Sequence, residues 1–309
     1  MTGTTVSILI PARNEELTLP STLPGILRAA ERLDEPFELL VVTPTTSPML
    51  HRPPIRDRRI RWLATERPGK FQALRVGAAH AGGDVLVLVD ADVRPGPAAF
   101  TELTRTIRGG TADVAAGRIT FGAAAGPPVA RLLTHWAAMS ADAWNLLRSE
   151  RPEHRWALPG ALYALRSELL PESLDVALVD DASIGLAAER AGARFAYAAN
   201  ARVEVSAPRT YPEWCRQKLR SRRGWAALAE HEPAKVRALE ACIARYFAAS
   251  TAGCRTARLM WAQDRILRGV ARLTPRPEAC ASGSWTPQRA TAPRQLAMAT
   301  HPPTRTRAE

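Results

Sequence analysis

Two aspartates one residue apart close an apolar run. In "GDVLVLVDADVRPG", Gly83 to Gly96, five consecutive apolar residues, Val85 to Val89, lead straight into Asp90-Ala91-Asp92. Alternate residues of an extended chain point the same way, so both carboxylates can face one hard cation. Magnesium and manganese use one or two protein carboxylates and fill their remaining positions with water and phosphate oxygens. The pair therefore suits Mg2+ or Mn2+ as a bridge between protein and diphosphate. An aspartate turn, with Asp92 capping the segment after it, is the competing reading. A second acidic pair, Asp180-Asp181, precedes the apolar helical pattern "ASIGLAAERAG", where acids are ordinary N-terminal helix chemistry. Lys70 sits just inside a predicted helix start, where backbone N–H groups favour anions; an exposed lysine on a surface helix reads equally well. Asn14 and Glu15, after the first strand, can hydrogen-bond a base or ribose edge, or can simply begin a helix.

Such side chains need a frame. Val6 to Ile10, Phe37 to Val42, "RIRWLA" and "DVLVLVD" read as strands, with helical spacing at Leu23, Ile26, Leu27 and Ala30 and in "KFQALRVGAAHAGG", which Gly82-Gly83 would end as a C-cap. Strands that are apolar throughout, alternating with helices, predict a mostly parallel sheet flanked by helices. In such sheets ligands bind beyond the carboxyl ends of the strands, where Asp90 and Asp92 stand. After Gly117 the pattern loosens through "GAAAGPPVA"; "GALYALR" and "RFAYAANARVEVS" then add short strands. Tyr211 to about Leu273 reads as helices rich in Arg, Ala and Trp. The expected organisation is an α/β domain over residues 1–230, a helical extension over 231–273, and a Pro-rich tail without apolar periodicity, expected to be disordered, over 274–309.

At 309 residues and 46% hydrophobic the chain can bury a full core. No run of 18 or more uncharged apolar residues occurs and the N-terminus shows no export signal, so a cytoplasmic protein is expected. Cys215, Cys242, Cys254 and Cys280 include no C-x-x-C pair, and the six histidines form no ligand cluster, so neither a disulfide framework nor a zinc site is indicated. The net charge of +12 lies wholly in the last third: residues 201–309 hold 20 Lys/Arg against 8 Asp/Glu, and the first 200 residues balance 22 against 22. That excess suits phosphate, nucleic acid or peripheral contact with an anionic membrane at its inner face, and equally a solvated Arg-rich surface. Nucleic acid is not expected as a partner, because no recognisable reading module or interleaved strand aromatics accompany the charge.

Five segments in order, "VSILIPARNEE", "ERPGKFQALRVGAAHAGGDVLVLVDAD", "PGALYALRSELL", "VDDASIGLAAERAG" and "PRTYPEWCRQKLR", resemble the family 2 glycosyltransferases over roughly Thr5 to Trp225. The resemblance implies a GT-A fold, a nucleotide-sugar donor, a divalent metal, and transfer to an acceptor hydroxyl with inversion. It implies that Pro11, Ala12, Asn14 and Glu15 hold the nucleotide, that Arg67 and Lys70 approach the donor phosphates, and that Asp181 is the catalytic base. Gln217 and Arg220 match the family's Gln-x-x-Arg-Trp motif, but Ser221 replaces the Trp; Trp225, on the same helical face, can cover similar ground. With that motif incomplete, a non-processive enzyme is expected. The usual base-reading aspartate is absent from "TPTTSPMLHRPP", which leaves Thr45, Thr46 or Ser47 for the base. Phe121 to Arg131 and the segment around Trp144 to Trp156 are expected to be loops that shape the acceptor site. A degenerate, non-catalytic binding protein and a sugar nucleotidyltransferase are the alternatives, although the latter would carry a Gly-rich basic loop where this chain has "PARNEE".

Overall fold

Short apolar runs, bounded by turn residues and covered on both sides by helices, make the strands of this chain. The computed structural model describes residues 6–273 apart from 68, 124, 175, 177, 178 and 251–253. The expected tail over 274–309 lies outside the described residues. The N-terminal part comprises β1 (Val6–Pro11), α1 (Leu19–Ala30), β2 (Phe37–Pro44), β3 (Ile60–Thr65), α2 (Lys70–His80), β4 (Val85–Val89), β5 (Arg94–Pro95) and α3 (Ala99–Arg108). There follow β6 (Val114–Phe121), α4 (Pro128–Glu150), β7 (Leu162–Arg166), α5 (Asp180–Arg190), β8 (Phe195–Val205), α6 (Tyr211–His231), α7 (Pro233–Ser250) and α8 (Arg255–Leu273).

The strands form one sheet in the order β3-β2-β1-β4-β7-β6-β8-β5. The pairs β3/β2, β2/β1, β1/β4 and β6/β8 are parallel, whereas β7 runs antiparallel to β4 and β6, and β5 antiparallel to β8. The expected mixed, mostly parallel sheet is thus present. Strand alternation divides the core. Ile8, Ile10, Val85, Val87 and Val89 face α1 and α3. Leu9, Leu40, Leu86 and Leu88 face Phe71 and Leu74 of α2 and Ile184 of α5. Burying each such side chain contributes about 2 kcal/mol, and this is why Val85 to Val89 is apolar without interruption.

Three local expectations change. Helix α2 ends at His80 with Ala81 extended, so Gly82-Gly83 is not its C-cap. Gly83 is instead pressed on β1, where a Cβ would lie 2.7 Å from the backbone nitrogen of Ser7. The loosened pattern at Gly117 is a register shift inside β6, between Ala116 and Arg118, where a Cβ would approach the Ala201 carbonyl to 2.9 Å. Most of the segment expected as a loop around Trp144 to Trp156 is helical, because α4 continues to Glu150 and buries Leu133, Trp136, Ala143 and Leu147 on one side. Asn145 ties α4 to the sheet, donating to the Ile119 carbonyl at 2.8 Å and accepting from its N–H at 3.3 Å. The start of α6 is fixed by a reciprocal cap between Thr210 and Glu213, and α6 then packs against α7 and α8.

Candidate active site

The carboxyl ends of β1, β2 and β4 open on a cleft of about 550 Å³, closed on its far side by the start of α5 and by one face of α6. Asp90 stands at the end of β4 because its own N–H still pairs with the Ala161 carbonyl at 3.2 Å, as the apolar run gives way to water. Lys70, in the first turn of α2, reaches across to it: Nζ lies 2.6 Å from Asp90 Oδ1 and 3.9 Å from Asp180 Oδ2, and donates to the Gly160 carbonyl at 2.9 Å. Gly69 makes that reach feasible, holding φ at 118°, a backbone that favours glycine. Burial alone works against the ammonium charge, yet Asp90, then Asp180, outweigh it and hold the Lys70 pKa above its ordinary value.

Asp181, on the first turn of α5, also lines the cleft. Its Oδ1 accepts from the Ala182 N–H at 2.9 Å. Burial first, and the neighbouring Asp180 second, push its pKa up to about 6, with Lys70, the Ala182 N–H and Arg148 pulling the other way. Gly160 makes room for it, since a Cβ there would sit 2.8 Å from Asp181 Oδ2. The carboxylate is thus held in a state suited to exchanging a proton near neutral pH.

Pro11, Ala12, Glu15, Arg67, Asp92, Gln217 and Arg220 join Lys70, Asp90 and Asp181 around the same cleft. Burial lowers the Arg220 pKa, opposed by Asp180, Asp90, Asp181 and Asp92. Ser221 and Trp225 line it together. Asn14 does not line the cleft. It is exposed and takes φ 56°, a left-handed turn position that Asn tolerates well, and so serves the bend after β1. Of the residues after β2, Thr45 and Thr46 face the cleft, whereas Ser47 is buried and donates to Glu16 at 3.1 Å.

The sequence reading missed three groups. Arg13 lines the cleft with Nη1 buried and without a hydrogen-bond partner among the described residues. Its place in "PARNEE" was the available signal. Asp180 was read as half of a helix cap, but its buried Oδ2 likewise lacks a hydrogen-bond partner among the described residues. Arg148, deep in α4, donates to the Ala157 carbonyl at 2.9 Å; burial draws its pKa down to about 10, against the pull of Asp181. Nothing in its sequence context marks it.

Among the described residues no three His, Cys, Asp or Glu side chains gather into a metal-ligating group. Two carboxylates suffice for a hard ion that shares its remaining positions with phosphate and water, and Asp90 and Asp92 offer oxygen donors into one cleft, without His or Cys. The donor set therefore fits Mg2+ or Mn2+.

The glycosyl transferase family 2 model matches residues 7–157, and the glycosyl transferase family group 2 model matches residues 85–272. The chain is 26% identical to the probable glycosyltransferase YdaM of Bacillus subtilis (strain 168), over 71% of this chain and 54% of that protein. It is 29% identical to the undecaprenyl-phosphate 4-deoxy-4-formamido-L-arabinose transferase of Proteus mirabilis (strain HI4320), over 34% of each. It therefore spans about half the length of the first of these relatives and about a third of the second. Among solved structures, the mannosyltransferase PcManGT of Pyrobaculum calidifontis, in complex with GDP-Man and Mn2+, aligns with a TM-score of 0.57 at 18% identity, over 91% of this chain and 79% of that one. The fold is thus that of the GT-A glycosyltransferases. With the family group 2 model alone covering residues 85–272 of 309, the chain belongs to the family 2 glycosyltransferases.

Proposed function

We propose that this chain is a metal-dependent, inverting and non-processive glycosyltransferase that moves a sugar from a nucleotide-sugar donor to an acceptor hydroxyl. The observation that carries the reading is the meeting, in one cleft, of Arg67, Lys70 and Arg220 with the half-buried Asp181, whose pKa is pushed up to about 6 by desolvation and by Asp180. Arg67, Lys70 and Arg220 hold and orient the donor diphosphate, and Pro11, Ala12 and Glu15 wall the nucleoside. Thr45 and Thr46 replace the base-reading acid, so base recognition rests on neutral hydrogen bonds. Mg2+ or Mn2+, when held by Asp90 and Asp92, supplies positive charge to the leaving diphosphate. Asp181 accepts the acceptor's proton as its oxygen attacks the anomeric carbon; the bond from that carbon to the diphosphate oxygen breaks, and the configuration inverts.

The outer face of α8 supports a peripheral contact with an anionic membrane. Leu259 and Ile266 are 63% and 66% exposed there, beside exposed Arg258 and Arg265. Among the described residues no helix is long and apolar enough to cross a membrane.

The test is a thermal-shift screen of nucleotide sugars with and without Mn2+ or Mg2+, followed by product analysis with the donor that binds. A metal-dependent rise in melting temperature with one nucleotide class supports the reading, because a ligand selective for the folded state stabilises it. A folded protein that responds to no donor makes it a non-catalytic binding protein instead.

A further inference from the structure

Behind the cleft, between α4, α6, α7 and α8, lies a second chamber of about 70 Å³. Its walls are Trp144, Trp214, Trp225, Phe247 and Trp261, and Lys218 projects among them. The chamber admits roughly five waters' worth of atoms, and its aromatic walls hold the ammonium group by cation–π attraction, not by an ion pair. Lys218 Nζ donates to Ser140 Oγ at 3.3 Å and lies 4.6 Å from the centre of the Trp214 ring. No carboxylate among the described residues stands within ion-pairing distance of it. The other charges of the chamber are matched: Arg222 and Arg268 pair with Asp264, and Arg268 also reaches Glu240 at 2.9 Å. Two guanidiniums and two carboxylates balance, which leaves the Lys218 charge as the surplus among the described residues. Burial accordingly draws its pKa down to about 8, with Asp264 opposing the shift and Arg222 adding to it.

The chamber shares a wall with the donor cleft, because Ser221 and Trp225 line both. Trp225 is held between them, stacked on Trp144 at 5.8 Å and tilted against Trp156 at 6.1 Å. We infer that this chamber is an acceptor subsite that seats the carboxylate of a monoanionic, aromatic or similarly apolar acid, with Lys218 as the specificity-determining cation. A single negative charge completes the local balance, and a flat apolar body fits the tryptophan walls. The remainder of such a molecule passes Trp225 toward Asp181, which places a hydroxyl in the cleft. The role as an acceptor subsite rests on the glycosyl-transfer reading; the binding of the acid does not.

The experiment titrates the 309-residue chain with benzoate and, separately, with its neutral analogue benzamide, following tryptophan fluorescence without nucleotide or metal. Benzoate is expected to saturate, with benzamide about tenfold weaker or more, the ratio of a charge-assisted hydrogen bond. Lys218→Met is expected to abolish the preference, and Asp181→Asn to keep it. Should Lys218→Met fail to fold, the wild-type comparison still decides, together with protection of Lys218 by benzoate against reductive methylation, read by peptide mass spectrometry. Equal binding of benzoate and benzamide, or no saturation by benzoate, overturns the inference. Since donor and metal are left out, a protein that uses no nucleotide sugar leaves this result unaffected.

Discussion

Replacing Asp181 by asparagine is expected to make the protein more stable and less active, with a pH dependence that stems from the burial of the carboxyl. In the fold its pKa rises from 3.8 to about 6, so the charged form is the disfavoured one. Below about pH 4 the group is protonated both in the folded and in the unfolded chain, and it costs nothing. As pH rises toward 6 the unfolded chain ionises first, and the penalty grows; above about 6 it is complete. A shift of about two units corresponds to at most about 3 kcal/mol, reduced by water entering an open cleft. Asparagine can keep the hydrogen bond from the Ala182 N–H without the charge. In metal-free buffer, thermal melts from about pH 4 to 8 are expected to show the variant rising above wild type by roughly 2–4 °C per kcal/mol at about pH 7.5, with the two curves meeting near pH 4. Turnover falls by about 10²–10⁴-fold, and wild-type turnover rises with pH through about 6 before levelling. A variant that melts below wild type at about pH 7.5, or at the same offset at about pH 4, refutes the buried-charge argument. Retained turnover refutes the assignment of the base.

Gly160→Ala is expected to cut turnover by about tenfold or more while leaving donor affinity nearly unchanged, because its Cβ would press on Asp181 Oδ2 at 2.8 Å; separate measurement of kcat and donor Kd checks this. Lys70→Ala is expected to weaken donor binding by about tenfold, measured calorimetrically, with Lys70→Arg recovering part of the loss, since Lys70 is the cation set between Asp90 and Asp180. Removing metal with EDTA is expected to abolish transfer and Mn2+ or Mg2+ to restore it, whereas Asp92→Asn stays inactive after metal is returned. Ile266→Glu, on the exposed face of α8, is expected to reduce cosedimentation with anionic vesicles by several-fold without changing the melting temperature.

Much of the sheet is set by local chemistry. A five-residue apolar run such as Val85 to Val89 has few ways to hide both faces, and the turn from burial to water at Asp90 marks the ligand end of the strand. The same locality explains the errors. Gly117 weakens the strand signal because what it accommodates is the Ala201 carbonyl, a neighbour distant in sequence. The helix through Trp144 is stabilised by burial against the sheet and later helices, so its own alternating polar residues say little about it.

The candidate site divides along the same line. Residue types and spacing marked Asp90, Asp92 and Lys70, because charge beside an apolar run is visible in the chain itself, whereas Asp180 and Asp181 by themselves read as helix-start acids. Which carboxylate is the proton acceptor, and at what pH, depends on desolvation and on charges brought from other elements: Lys70 from α2, Arg148 from α4 and Arg220 from α6. The same holds for the surplus cation at Lys218, whose neighbours are contributed by four helices. Sequence assigns the groups their intrinsic chemistry; burial and distance, which exist only after folding, decide what each of them can do.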